Sequence, residues 1–592
     1  MNLPRLFTVI VASAFALLPF TFASAAAANP AFDHWAESFA ADWVRANPTF
    51  STFQQYLPAA EQDALDRQLT PNTKEYRASR VAAAQAALAE LAKFDRATLS
   101  ADQRTSAATI EWSLRGTVEA DQFSDFNFVF HQMGGLHVNL VNFLTQSHPI
   151  RNKRDIENYL ARLALVAARI DEGVVQAEES AARGHLMPDF ITRSVLGQFE
   201  RFLAGPPREN RFVASLDERA TDLKDVSADE RAQFVAAAEK ITRAEIIPAF
   251  RRAQAMLQRQ LPLTNDRAGL AWKKGGDQAY AAALKRFTTT EMTADEIHAL
   301  GLREIARIEA EMDKLLRQLG YTIGSVGARY TQLNDDLQPK GSDDPRPALI
   351  AKYEAYLADA VERSKAVFDL TPKAPCVVKR EPPFTEKTAA AHYTGPAKDG
   401  SRPGIFWAPL PGPKFNIVGM RTLVHHEGIP GHHFQIALQR ETESLPRYRA
   451  DGVFGGGSAY AEGWALYAEQ VATENNWFEG DIPGHLGQLN GELFRAKRLV
   501  VDTGLHAKKW TRQQAIDYGM PVNEVERYVV MPGQACSYKV GMIKILDLRA
   551  KAQRALGDKF SLKQFHNVVL QTGNVPLAVL EQVIDEWVAA KR

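Results

Sequence analysis

A mostly α-helical chain with one small β-sheet is predicted by three observations. Ala, Leu, Glu, Arg and Gln dominate residues 30–260, where apolar residues recur at intervals of three and four. One passage, 374–410, carries β-prone runs between Pro and Gly punctuation. Helical periodicity then resumes and continues to residue 592. The length suits one very large domain or two to three ordinary ones. Lys plus Arg and Asp plus Glu number 70 each, so no basic excess argues for nucleic acid or an anionic membrane surface. With only Cys376 and Cys536 present, no disulfide framework holds the fold. A single bridge between them and a pair of free thiols both fit.

Taken in order, the chain begins with an expected secretory signal peptide, 1–25. Arg5 supplies its positive charge, residues 6–22 its apolar run, and Ala23-Ser24-Ala25 its cleavage site, with Ala28 as an alternative. The run is too short and too interrupted by Pro19 to read as a membrane anchor, and no cysteine lies near the cleavage site for lipid attachment. An exported protein is expected, periplasmic in a Gram-negative host and secreted otherwise, with no membrane contact after cleavage. Residues 26–275 read as an N-terminal helical region, with helices at 77–94 and 154–178. Within it, His131 and His137 sit in an aromatic-rich segment without an acid at ligand spacing, which suits a core or channel wall. A looser passage, 261–292, marks a boundary. Beyond it, 276–592 carries the chemistry and forms one continuous fold with the N-terminal part. Thr293 to Glu296 is a capping box, and Gly320 ends the helix it starts.

In the strand passage, Cys376 to Lys379 and Gly404 to Ala408 are the β-prone runs. They are followed by four histidines and an acid in nine residues: His425, His426, Glu427, His432 and His433. Such a cluster points to a divalent metal held by imidazoles, with the acid handling a proton. The spacing departs from H-E-x-x-H, in which the histidines are four apart and face the same way. Four residues after His426 stands Pro430, and His432 is six on. A straight helix would turn His432 roughly 120° away and carry it about 9 Å along the axis. A bulge or kink at Pro430-Gly431 would be needed to bring the two imidazoles together.

Downstream, Ser458 is a candidate N-cap for a helix over 459–473, on which Glu462 and Glu469 share one face. Carboxylates on the apolar side of a helix need a partner or a cation. A helix over 486–506 stacks Arg498, Asp502 and His506 at successive fours, read as a structural ladder or a cleft wall. Asn523 to Glu526 is a second capping pattern, followed by Arg527 and Tyr528.

The stretch HEGIPGHH, with AEGWALYAE (461–469), RLVVDTGLH (498–506) and PGQACSYKVG (532–541), resembles the bacterial family known as domain of unknown function 885. That family is similar to the zincin metallopeptidases, in particular to the helical group with a deep channel. The resemblance implies a large helical zincin-like fold with a deep channel and a small β-sheet near the metal site, the strand 403–408 offering its edge to a peptide substrate. It implies one Zn2+ per chain held by His426, His432 and Glu462, Glu427 as general base, and Tyr538 as oxyanion donor, with Tyr528 second. Glu469 would orient a ligating histidine. Arg498 or Arg527 could hold a substrate carboxylate, and His425 and His433 remain alternative ligands. Two imidazoles and a carboxylate suit zinc, and also admit manganese, cobalt or iron. The implied function is a zinc peptidase acting on short or unfolded peptides. A metal hydrolase on a non-peptide amide, or an exported peptide-binding protein without catalysis, fits the same residues.

Overall fold

The computed structural model describes residues 28–383, 386–387, 389–397, 400 and 402–592. The expected signal segment, 1–25, lies outside the described residues, and the alternative cleavage residue Ala28 is the first of them. The described chain is mostly α-helical with one three-stranded sheet. No described helix is long and apolar enough to cross a membrane.

Local signals set several helix ends. Thr293 and Glu296 form the full capping box of the Ala294–Gln318 helix, and Gly320 takes a positive φ of 87° just past its end. The expected 154–178 helix is two helices, Lys153–Leu163 and Val166–Ala182, broken at Ala164-Leu165. The looser passage 261–292 contains a regular helix, Gly276–Thr288. Two expected caps are not formed. The Ser458–Glu474 helix is capped by Gly457, and the Ser458 hydroxyl is 2.7 Å from that of Ser537 instead. Pro521 precedes the Val522–Val530 helix, so Asn523 lies inside its first turn.

Buried clusters join distant parts of the sequence. Phe130, Tyr159 and Phe199 share a core with Val501, Leu505 and Tyr528, while Phe32 and Ile110 share another with Tyr448 and Phe454. The largest core gathers around Phe434, Trp464 and Tyr467, with Phe406 of the sheet beneath. Burying each such aromatic contributes roughly 1.5–3 kcal/mol. The cores therefore cross position 275.

Strands β1 (Cys376–Arg380), β2 (His392–Thr394) and β3 (Gly404–Ala408) pair in the order β1-β3-β2. β3 is parallel to β1, with Val378 opposite Phe406, and antiparallel to β2, with Tyr393 opposite Phe406. This corrects the expectation that 403–408 is an edge strand. Both its hydrogen-bonding sides are occupied, so it has no free edge to offer a peptide. Its sequence, hydrophobic at every position from Ile405 to Ala408, is that of a buried central strand.

One helix crossing uses a glycine on each side for close approach. A Cβ on Gly541 of the Ser537–Leu556 helix would lie 2.1 Å from the carbonyl oxygen of Ala459, and one on Gly463 would lie 2.6 Å from the Cα of Gly541. The Ser458–Glu474 and Ser537–Leu556 helices thus touch backbone to backbone, one residue beyond Glu462 and three beyond Tyr538.

Candidate metal-binding site

The histidine stretch is not one helix. A short turn, Met420–Leu423, widens into a π-helical turn over Val424–Gly428. Ile429 is extended, the Ile429–Pro430 peptide is cis, and a new helix, His432–Glu441, starts after Gly431. Pro430 has no N–H to continue the ladder. Gly431 passes so close to the preceding turn that a Cβ there would lie 1.9 Å from the His426 carbonyl oxygen and 2.4 Å from that of His425. The Trp464 indole N–H donates to the Pro430 carbonyl at 2.9 Å, tying the break to the Ser458–Glu474 helix.

This break sets the rings of His426 and His432 with centroids 5.0 Å apart and planes at 82°. Glu462 completes a triad: its Oε2 is 3.5 Å from His426 Nε2 and 3.4 Å from His432 Nε2. Among the described residues, this is the group of His, Cys, Asp and Glu side chains whose ligand atoms converge, all within 4.8 Å of one another. Glu462 Oε2 and His432 Nδ1 are buried without a hydrogen-bond partner. Such orphaned atoms are costly unless something else satisfies them. Four ligands at zinc distances of roughly 2.0–2.1 Å in a tetrahedron are separated by roughly 3.3–3.4 Å, close to the two His–Glu separations. The donor set and its spacing therefore fit a zinc-sized cation.

The far side of His426 is held by Glu469, whose Oε1 is 2.8 Å from Nδ1 and whose Oε2 accepts from Thr422 Oγ1 at 2.8 Å. A carboxylate there keeps the proton on Nδ1 and leaves the Nε2 lone pair facing Glu462. Burial opposes charge on His426, but Glu462 and Glu469, aided by the Glu427 charge, lift its pKa to about 10. Burial likewise opposes charge on Glu462, yet the two imidazoles hold its carboxyl well below the usual range. Glu427 is buried beside the triad, next to His426 in sequence.

The remaining candidates lie elsewhere. His425 is buried edge-on against Trp477 and Phe478 with neither ring nitrogen hydrogen-bonded, and burial pushes its pKa down to about 3. His433 Nδ1 meets the Tyr393 hydroxyl of β2 at 2.8 Å, and burial lowers its pKa to about 4. Neither joins the triad. Arg498 and Asp502 do not pair with each other. Arg498 donates to Glu524 at 2.8 Å and to the Tyr528 hydroxyl at 3.2 Å, with the Tyr538 ring 4.5 Å from its guanidinium carbon. Asp502 accepts from the Tyr280 hydroxyl at 2.6 Å and the Gly533 N–H at 2.9 Å. His506 is held between the Leu270 N–H at 3.2 Å and the Tyr528 carbonyl at 3.0 Å. Arg527 donates to Gln534 at 2.6 Å. Tyr538 is half-buried on the helix that crosses the Glu462 helix. Cys376 and Cys536 are both free.

Sequence reasoning missed Trp464 and Thr422, which fix the break and Glu469. A tryptophan two residues after Glu462 carries no signal of a bond to Pro430.

Comparison with known proteins brings a family and several solved structures. The family described as "Bacterial protein of unknown function (DUF885)" matches residues 48–584. A structure described as the "putative lipoprotein from Colwellia psychrerythraea" superposes with a TM-score of 0.85 at 30% sequence identity, covering 94% of this chain and 100% of its own. A second, from Shewanella oneidensis and described as of unknown function, gives 0.69 at 20% identity over the same shares and so matches in fold. No curated protein matches the chain.

Proposed function

Because the chain belongs to the DUF885 family of bacterial proteins, we propose that within it this protein is a zinc-dependent peptidase of short or unfolded peptides. The observation that carries the reading is the convergence of His426, His432 and Glu462 at ligand spacing, with Glu462 Oε2 left without a hydrogen bond. When bound, a zinc ion supplies the Lewis acidity that makes water nucleophilic near neutral pH and polarises a carbonyl.

The chain's own residues do the rest. His426, His432 and Glu462 hold the cation, and three protein ligands leave a position open. Glu469 fixes the tautomer of His426 through Nδ1. Glu427 accepts a proton from the attacking water and returns it to the leaving nitrogen. Tyr538 is the hydroxyl assigned to the developing oxyanion. Its helix meets the Glu462 helix at Gly463 and Gly541, a close backbone approach that supports the assignment.

Export belongs to the same proposal. It rests on the N-terminal apolar run, and the Colwellia neighbour's description as a lipoprotein agrees with it.

The test is a mixed-peptide digest read by mass spectrometry, with metal analysis of protein purified without chelators. Near-stoichiometric zinc and chelator-sensitive cleavage are expected. Metal-free protein that leaves every peptide intact after zinc is added defeats the proposal.

A further inference from the structure

A cavity of about 1230 Å³ lies against the loop that starts the Glu462 helix. It exceeds the roughly 300–1,000 Å³ of pockets for small ligands. Its walls come from the Lys74–Leu91, Ala101–Asp121 and Gly276–Thr288 helices, from Gly455 to Ser458, and from Val530 to Pro532. Ser458 on this wall precedes Glu462 by four residues, so both lie on one helix face about 6 Å apart along the axis. Met531 and Pro532 lead into the Gln534 to Tyr538 segment in the same way.

The wall is basic and aromatic. It carries five cationic side chains against Glu119 and Asp121, with Trp112, Phe123, Phe126 and Phe287 between them. Four of the five cations are engaged. Arg77 faces Asp121 at 3.8 Å, Arg115 pairs with Glu111, Lys285 with Glu291, and Arg80 donates to the Trp43 carbonyl while stacking on its ring. Arg286 has no hydrogen-bond or ion-pair partner among the described residues and is exposed to the cavity. Desolvation by the surrounding walls lowers its pKa, with no acid near enough to offset it. A guanidinium so placed is suited to bidentate binding of a carboxylate, and better so in a partly desolvated chamber than in open water. His131 adds a buried Nδ1 without a partner on the same wall.

We infer that this cavity is the substrate chamber and that Arg286 clamps a carboxylate of the bound peptide, while the aromatic wall takes its apolar side chains. The inference rests on the peptidase reading for its substrate class and assigns that substrate an anchoring group. Arg286 is a positioning and specificity residue, remote from the bond that breaks.

The test uses full-length protein carrying Glu427→Gln, so that bound peptide persists, and fluorescence anisotropy of one labelled pentapeptide of alternating Phe and Ala. The peptide is made with a free C-terminal carboxylate, as a carboxamide, and as a carboxamide with one internal Glu. The carboxylate form is expected to bind at least about tenfold more tightly than the plain carboxamide, the scale of one charge-assisted pair. Arg286→Ala should bring that ratio close to one, and Arg286→Lys should restore part of it. If the Glu-bearing carboxamide binds as well as the free carboxylate, Arg286 still reads a peptide carboxylate, supplied by a side chain. A second variant probes the cavity itself. A Cβ on Gly116 would meet no atom within 4 Å, so Gly116→Trp starts from open space on the chamber wall and should weaken all three peptides.

A carboxylate-to-amide ratio that Arg286→Ala leaves unchanged overturns the inference, as does full-strength binding in Gly116→Trp. Hydrolysis in the wild-type digest alongside either result would leave the peptidase reading standing. Carboxylate-dependent binding through Arg286 in a protein that cleaves nothing would retain the chamber and remove the peptidase.

Discussion

Two buried polar clusters in this molecule invite the same reading and differ in kind. On the Ile482–Ala507 helix, Arg498, Asp502 and His506 stack at successive fours, yet each finds its partner on another element: Glu524, Tyr280 and the Leu270 backbone. Around Pro430, His426, His432 and Glu462 instead face one another with ligand atoms all within 4.8 Å; buried atoms without a hydrogen bond occur in both clusters, at Arg498 Nη1 and Asp502 Oδ2 in the first and at Glu462 Oε2 and His432 Nδ1 in the second. The first arrangement ties elements together. The second turns ligand-type atoms toward one another, the arrangement on which the metal proposal rests. The difference lies in the direction of the side chains, and also in burial, which is complete along the ladder and partial at His432 and Glu462.

The comparison breaks most sharply at the triad. His432→Ala or Glu462→Ala should remove both bound metal and hydrolysis, measured by elemental analysis and peptide turnover; retained zinc with full activity would place the cation elsewhere. Glu427→Gln should keep the metal and lower kcat by roughly 10²–10⁴-fold, the range for a lost general base.

The ladder should respond through stability. Burial raises Asp502 from 3.8 to about 7 against the bonds from Tyr280 and Gly533. The folded state therefore holds a proton that the unfolded state releases above pH 3.8. The resulting penalty is absent below about pH 4, grows as pH rises, and is complete above about pH 7, where it reaches about 4 kcal/mol. Asp502→Asn should gain thermal stability relative to wild type at pH 8 and lose that advantage near pH 4. A difference in Tm that does not vary with pH would show that Asp502 is charged in the fold. The smallest effect is expected at Glu469→Gln, which should weaken metal affinity roughly 10–100-fold with activity restored by excess zinc. Unchanged affinity would make Glu469 part of the ladder's class.

The sequence shows the polar groups of the triad plainly but not their facing. The interruption at Pro430-Gly431 is visible as two residues too many between histidines, whereas the direction in which it turns His432 depends on a π-helical turn and an extended Ile429 that no periodicity encodes. Glu462 and Glu469 are visible as a face of a helix, but that they address opposite nitrogens of one imidazole is a property of the packed pair. Gly404 to Ala408 reads as a strand, and its central place follows from pairing with β2, whose three residues are too few to stand out. The hydroxyl of Ser458 could as well cap its own helix as reach Ser537, and only the neighbouring helix decides. The cavity is invisible in the sequence because its walls are drawn from segments hundreds of residues apart.

The glycine-to-glycine contact at Gly463 and Gly541 acts as a fixed pivot. Because main chain rests on main chain there, no rotamer change can alter the spacing of the two helix backbones that carry Glu462 and Tyr538. A single methyl group added at Gly541 would wedge the two helices apart. On the proposed mechanism, Gly541→Ala would be expected to misalign the hydroxyl, so that peptide binding survives while turnover falls.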